Sequence, residues 1–236
     1  MRRILTFFVA LMSCATLASA QSEPSALINS FAPTATVSTT ASKTEPTAPK
    51  AFPNIDIENF GQMDERFFRG SQPSATQYKA LKEMGIKTII DLRKDNEDYS
   101  RSTVESLGMR YVHIPMTGWT TRDESVVEFL KQINDEANGK VYVHCAAGKH
   151  RTGLVGAIYR LENYGWDYDT AFKEMKNYEY FSGFFHRKIK AYVKDYYEKF
   201  GAEKQAAYKA SQAAKAAKAA EAAAAGQVSL SSVPSN

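Results

Sequence analysis

Cysteine is nearly missing from this chain of 236 residues: Cys14 and Cys145 are the only two. A disulfide framework is therefore excluded, and so is a zinc site built on several thiolates. Histidine is scarce too. His113, His144, His150 and His186 show no ligand-type spacing with carboxylates, so neither a metal nor another cofactor is expected. A Walker loop is absent, because no glycine-lysine pair is followed directly by serine or threonine. The formal net charge is only +4, part of it in the two ends, and no basic stripe is interleaved with aromatics. Nucleic acid is accordingly not an expected partner. Long hydrophobic runs are lacking as well, which argues against a stable membrane span.

The one apolar run of note, Ile4 to Met12, follows Arg2 and Arg3 and precedes Ala18-Ser19-Ala20. Residues 1–20 read as a secretory signal peptide cut before Gln21, and the mature chain is expected to be periplasmic or secreted. Leu11-Met12-Ser13-Cys14 offers a competing reading, in which Cys14 is lipidated. Residues 21–53 are rich in serine, threonine, alanine and proline without apolar periodicity, as a flexible linker would be. Residues 201–236 form an alanine- and lysine-rich tail, read as a solvated helix or a disordered end. Residues 54–200 are left as one catalytic domain.

What is present is the string HCAAGKHRTG from His144 to Gly153. It sets Cys145 and Arg151 six positions apart, with five residues between them to encircle an oxyanion. A thiolate can attack phosphorus without a metal, provided the sulfur ionises below the value of about 8.5 of a free cysteine. A loop between strand and helix can lower it by turning backbone N–H groups inward and adding the positive end of a helix dipole. The same cup, formed by Ala146, Ala147, Gly148, Lys149 and His150, would hold the phosphate oxygens. Gly148 removes a Cβ from a crowded turn. Arg151 would grip two phosphate oxygens, and the Thr152 hydroxyl would assist the sulfur. With Cys14 removed along with the signal peptide, Cys145 becomes the only thiol of an exported chain, which points to reactivity rather than structure.

The flanks carry the elements that such a loop needs. Gly139 to His144 reads as a buried strand, and Thr152 to Tyr164 as a helix closed by Gly165. Ser74 and Gln77 make a capping box for a helix with Tyr78, Leu81 and Met84 on one face. Strands are expected at Ile86–Leu92 and Met109–Pro115, and a helix at Arg122–Ala137 with Val126, Val127, Leu130 and Ile133 inward. Asp167 caps the following helix, and Phe185, Ile189, Tyr192, Val193, Tyr196 and Phe200 line a last one. Strands alternating with helices imply an α/β fold, with a central, mostly parallel sheet flanked by helices on both faces. Ligands of such sheets lie beyond the carboxyl ends of the strands, where Cys145 falls.

On these residues the chain resembles the cysteine-dependent protein tyrosine phosphatase superfamily, in its small dual-specificity branch. The loop is similar to that of plant and fungal atypical members, in which lysine and histidine precede the arginine. Asn59-Phe60, Phe67-Phe68-Arg69-Gly70-Ser71-Gln72-Pro73 and Gly85 to Arg93 look like the opening of bacterial members, some of them exported. The resemblance implies a dual-specificity phosphatase-like fold. It also implies Cys145 as nucleophile, Arg151 as phosphate clamp and Thr152 as the hydroxyl assisting the sulfur. Hydrolysis of phosphotyrosine, with phosphoserine and phosphothreonine as further substrates, would pass through a phosphocysteine.

The family's general acid is an aspartate in the loop after the preceding strand, here Met116 to Asp123. Trp119 stands where exported relatives carry the acid, so Asp123 becomes the candidate, with Asp91 and Glu124 behind it. Thr121 and Glu124 also fit a capping box, under which Asp123 would only favour the helix dipole. Lys149 and His150 form a basic rim suited to inositol polyphosphates or phosphoinositides, with His150 gaining charge below about pH 6.5; alternatively both side chains face solvent. The partners expected are thus phosphorylated proteins or inositol phosphates. A phosphate-binding pseudophosphatase is the reading from outside enzymology.

Overall fold

Alternation along the strands decides the architecture. In the computed structural model, which describes residues 45–95, 99–117, 121–183 and 186–230, β1 (Gly61–Gln62), β2 (Phe67–Gly70), β3 (Ile86–Asp91), β4 (Arg110–His113) and β5 (Lys140–His144) form one sheet. Its order is β1-β2-β5-β3-β4. Only the β1–β2 pair is antiparallel; β2, β5, β3 and β4 run parallel, with Asp91 in register with both His113 and His144.

Successive strand residues face opposite layers, and both layers are apolar. Phe67, Ile90, Val141 and Val143 pack into a cluster with α3 (Asp123–Asn134), α4 (Arg151–Tyr164), α5 (Tyr168–Asn177) and the first half of α6 (Arg187–Leu230). Phe68, Ile86, Ile89 and Tyr142 pack on the other face with Tyr78 and Leu81 of α1 (Ala75–Glu83), Val104 of α2 (Ser100–Ser106), and Ile57 and Phe60. Helices thus cover both faces of a mostly parallel sheet, as the sequence pattern implied.

The caps follow the residue chemistry. Ser74 and Gln77 close a reciprocal capping box on α1, Asp167 accepts from the Thr170 N–H at the start of α5, and Gly165 ends α4 in the left-handed region at φ 57°. The Thr121–Glu124 box does not form: Arg122 is the N-cap of α3 and no side chain caps it. The expected helix to Ala137 stops at Asn134. Asp135 there adopts an extended conformation and its carboxylate caps a single 3-10 turn, Glu136–Asn138.

Both expected boundaries of the domain move outward. Residues 45–53 have the composition of a linker, yet Thr47 donates through its N–H and its hydroxyl to Glu174 Oε1 at 2.9 Å. Lys50 N–H donates to the Phe60 carbonyl, and Phe52 meets Phe60 edge-on. Past residue 200, Lys204 is buried against Glu162 at 3.0 Å, and Tyr208 packs beside Gly165 and Tyr164. Composition does not show these contacts because the partner of Thr47 lies 127 residues away, and those of Lys204 and Tyr208 about forty. From Lys209 to Ala223, α6 is exposed almost throughout. Residues 1–44, with the expected signal peptide, and Trp119 and Phe185 lie outside the described residues.

Candidate active site

The site forms where β5 ends and α4 begins, at the carboxyl edge of the parallel strands. Cys145 is only 3% exposed, yet its surroundings are not oily. Burial pushes its thiol up; the Arg151 guanidinium, the Thr152 hydroxyl and the Thr152 and Gly148 N–H groups outweigh burial and hold it below the ordinary cysteine value. The buried Thr152 Oγ1 meets no oxygen or nitrogen partner, which leaves the sulfur as the acceptor for its proton.

Carbonyl orientation shows why the cup opens inward. The Ala146 carbonyl accepts from Gln72 N–H at 2.9 Å. The Gly148 carbonyl accepts from Arg69 Nη2 at 2.8 Å and Asn59 Nδ2 at 3.2 Å. No described peptide bond is cis, and in a trans peptide the next N–H points opposite to the carbonyl. The N–H groups of Ala147 and Lys149 are therefore turned toward the interior of the loop, away from the protein groups that hold the carbonyls. Gly148 adopts φ 68°, and a Cβ there would lie 2.4 Å from the Gly70 carbonyl carbon. Only glycine meets both demands.

The Arg151 guanidinium is supported from behind by the carbonyls of Leu92 and Met116, each 3.4 Å from Nη1. His144 is fully buried under the loop. Its Nδ1 donates to the Cys145 carbonyl at 3.1 Å, and Nε2 meets the Tyr78 hydroxyl at 3.3 Å, so it serves as scaffold under the loop.

Two expectations about charge are corrected. Lys149 does not offer a free cation to a polyanion: its Nζ is 2.8 Å from Glu179 and 3.2 Å from Glu58. His150 does not gain charge near pH 6.5. It stacks on His186 with centroids 3.5 Å apart, and burial, together with that neighbouring ring, pushes it down to about 4.

Among the acid candidates, Asp123 starts α3 and accepts a hydrogen bond from the Tyr192 hydroxyl at 2.7 Å. Glu124 is exposed one residue later. Asp91 is fully committed elsewhere. Burial raises its pKa, but the Arg93 guanidinium at 2.6 Å and the Tyr111 hydroxyl at 2.7 Å more than offset this and keep it ionised below the usual range. An ionised, fully paired carboxylate donates no proton, so Asp91 drops out as the acid.

Sequence reasoning missed Arg69, Asn59 and Tyr178 as the support of the loop. Arg69 and Asn59 stood in the strings that carried the resemblance, but their role needs the third dimension. The usable signal was an arginine inside a hydrophobic strand, a residue that is seldom buried without a partner.

Comparison with known proteins matches this geometry. The profile described as "Tyrosine phosphatase family" matches residues 54–218. The chain belongs to the tyrosine phosphatase family. It is 31% identical over 119 residues to the dual specificity protein phosphatase TpbA of Pseudomonas aeruginosa, covering 50% of this chain and 53% of that protein. To the inositol diphosphatase DSP4 of Arabidopsis thaliana it is 28% identical over 134 residues, covering 51% of this chain and 63% of the relative. The crystal structure of P. aeruginosa TpbA superposes with a TM-score of 0.55 at 28% identity, covering 65% of this chain and 92% of the solved one. The chain spans about half the length of several curated relatives that it matches, TpbA among them.

Proposed function

We propose that this member of the tyrosine phosphatase family hydrolyses phosphomonoesters, phosphotyrosine above all and phosphoserine or phosphothreonine as well, through a phosphocysteine at Cys145. The observation that carries the reading is the sulfur itself: nearly sealed from water, yet biased toward thiolate by Arg151, Thr152 and loop amides. Cys145 Sγ attacks phosphorus in line with the ester oxygen, and the phosphorus–oxygen bond to the leaving group breaks. That oxygen takes a proton from Asp123. Water then attacks the phosphocysteine and passes a proton to Asp123, releasing inorganic phosphate and the thiolate. Arg151 and the loop N–H groups hold the equatorial oxygens throughout. The Tyr192 hydroxyl, donating to Asp123 Oδ1 at 2.7 Å, fixes where that carboxylate stands at the start of α3. Aryl phosphates, whose leaving oxygens need the least protonation, are the substrates this arrangement serves best.

A second reading, inositol polyphosphate hydrolysis, draws on relatives named inositol diphosphatases. The pairing of Lys149 with Glu58 and Glu179 and the neutral His150 place it behind the first. The test is a panel of p-nitrophenyl phosphate, phosphotyrosine peptide and inositol hexakisphosphate with wild type and Cys145→Ser. Turnover of the aryl esters that disappears in the serine variant supports the proposal. Phosphate binding without turnover of any member would make this a pseudophosphatase instead. Export to the periplasm or medium is part of the same proposal and rests on residues 1–20; a mature N-terminus at Gln21 would support it, and an intact Met1 in the cytosol would overturn it.

A further inference from the structure

Against the outward face of the Gly148 carbonyl lies a second guanidinium. Arg69 is 1% exposed, stacks with its Cζ 3.9 Å over the Tyr178 ring, and reaches the Gly148 carbonyl at 2.8 Å. Burying an arginine is costly, and burial pulls the Arg69 guanidinium below its ordinary value against the pull of its neighbours. Glu174, the Tyr178 and Tyr142 hydroxyl groups and Cys145 all act on it electrostatically, and Glu174 is shared with Arg160 at 2.9 Å. Room is made for it by α4: a Cβ on Gly156 would lie 3.2 Å from Arg69 Nη1 and 3.3 Å from Met63 Cε.

A second donor aims at the same carbonyl. Asn59 sits in the left-handed region at φ 59° and donates to both Gly148 O and Tyr178 O, which ties the loop to the ring that Arg69 stacks on. Tyr178 is in turn fastened from outside: its hydroxyl lies 2.9 Å from Thr47 Oγ1 and 3.1 Å from the Ala48 carbonyl. The chain of contacts runs from residue 47 through Tyr178 and Arg69 to Gly148.

We infer that Arg69, seconded by Asn59, is a positioning residue for the phosphate cup: by holding the Gly148 carbonyl outward it aims the Lys149 N–H at the bound oxyanion, and the 45–53 segment braces it through Tyr178. The inference rests on the proposed role of Cys145. The mechanism requires no contact between Arg69 and substrate. A trans peptide has one orientation at a time, so a carbonyl pinned by two donors pins the N–H on its far side. Removing the pins frees that peptide to rotate, and the cup loses an oriented dipole beside the sulfur. A buried cation close to Cys145 acts in the same direction, favouring thiolate.

The experiment uses Arg69→Met, Arg69→Lys, Asn59→Ala and Gly156→Ala in the full chain. Two readouts are taken: the pH dependence of Cys145 alkylation by iodoacetamide, and kcat/KM for p-nitrophenyl phosphate against pH. For Arg69→Met a loss on the order of 10²-fold in kcat/KM is expected, with the thiol titrating at higher pH. Arg69→Lys is expected to restore part of the titration shift, since it keeps charge and a donor but not the planar stack. Gly156→Ala crowds Arg69 without removing it and is expected to shift the titration in the same direction by less. Should Arg69→Met fail to fold, Asn59→Ala and Gly156→Ala carry the test. An unshifted thiol titration and a kcat/KM within twofold of wild type in every folded variant would overturn the inference. The alkylation arm reads the cup even if wild type hydrolyses nothing, so failure of the phosphatase reading and failure of this one give different results.

Discussion

The loop from Cys145 to Arg151 and the exposed part of α6 from Lys209 to Ala223 are opposite ways of ordering a chain. The helix needs nothing but its own residues: alanines and lysines favour helical backbone, and no wide apolar face is present to seek a partner. The loop has no regular secondary structure of its own, and everything that orders it comes from elsewhere. Gln72, Arg69 and Asn59 hold its carbonyls, Leu92 and Met116 hold its arginine, and Gly70 leaves room only for glycine at position 148. Local propensity can build rods, but a cup of inward N–H groups has to be imposed from outside, because each N–H turned in requires a carbonyl anchored out.

The difference can be pressed from the strongest effect downward. Arg151→Ala should lower kcat/KM for p-nitrophenyl phosphate on the order of 10³-fold while leaving the melting temperature nearly unchanged, since in the proposed mechanism the guanidinium serves the transition state more than the fold. Gly148→Ala should act on both. Its Cβ would meet the Gly70 backbone at 2.4 Å, so a loss of about 1–3 kcal/mol in denaturant unfolding and of roughly 10²-fold in kcat/KM is expected. Retention of wild-type kinetics by this variant would break the view of the loop as imposed from outside.

A smaller effect concerns acid. His150 is held at about 4 in the fold and returns to about 6.5 when unfolded, so between these values the unfolded chain binds more protons. Stability should therefore fall as pH drops from 6.5 toward 4, and His150→Phe should flatten that slope in thermal melts. The same residue should produce no transition in the kcat/KM profile between pH 5.5 and 8. The smallest effect belongs to the helix: truncation after Ser211 should change kcat/KM less than twofold and shift the melting temperature by under about 3 °C. A large loss there would show that the rod has a partner on the domain.

Much of the site was legible because its chemistry is local in sequence. Cys145, Gly148, Arg151 and Thr152 fall within eight positions, and each has a reason to be where it is that needs only a strand before and a helix after. The sheet was legible too, from Ile86 to Asp91 and Lys140 to His144, because β-branched and aromatic residues dominate both short segments. Less legible were the residues whose meaning depends on a distant partner. Lys149 and His150 look like a basic rim in one dimension, yet Glu58 and Glu179 pair with the first and His186 stacks on the second. Asp91 looked like a spare carboxylate until Arg93 and Tyr111 closed on it. Thr47 looks like linker in one dimension, yet its N–H and hydroxyl both donate to Glu174 Oε1.

By itself, then, the order of residues determined the groups proposed to react, their spacing, and the strand and helix that flank them, since hydrophobic period and glycine placement act over a few neighbouring positions. Only the tertiary structure decided which charges stay free, which are paired, and which way the peptide planes of the loop face. Those depend on electrostatic and hydrogen-bond partners brought together from residues 47 to 192, and such pairings have no expression along the chain until it folds.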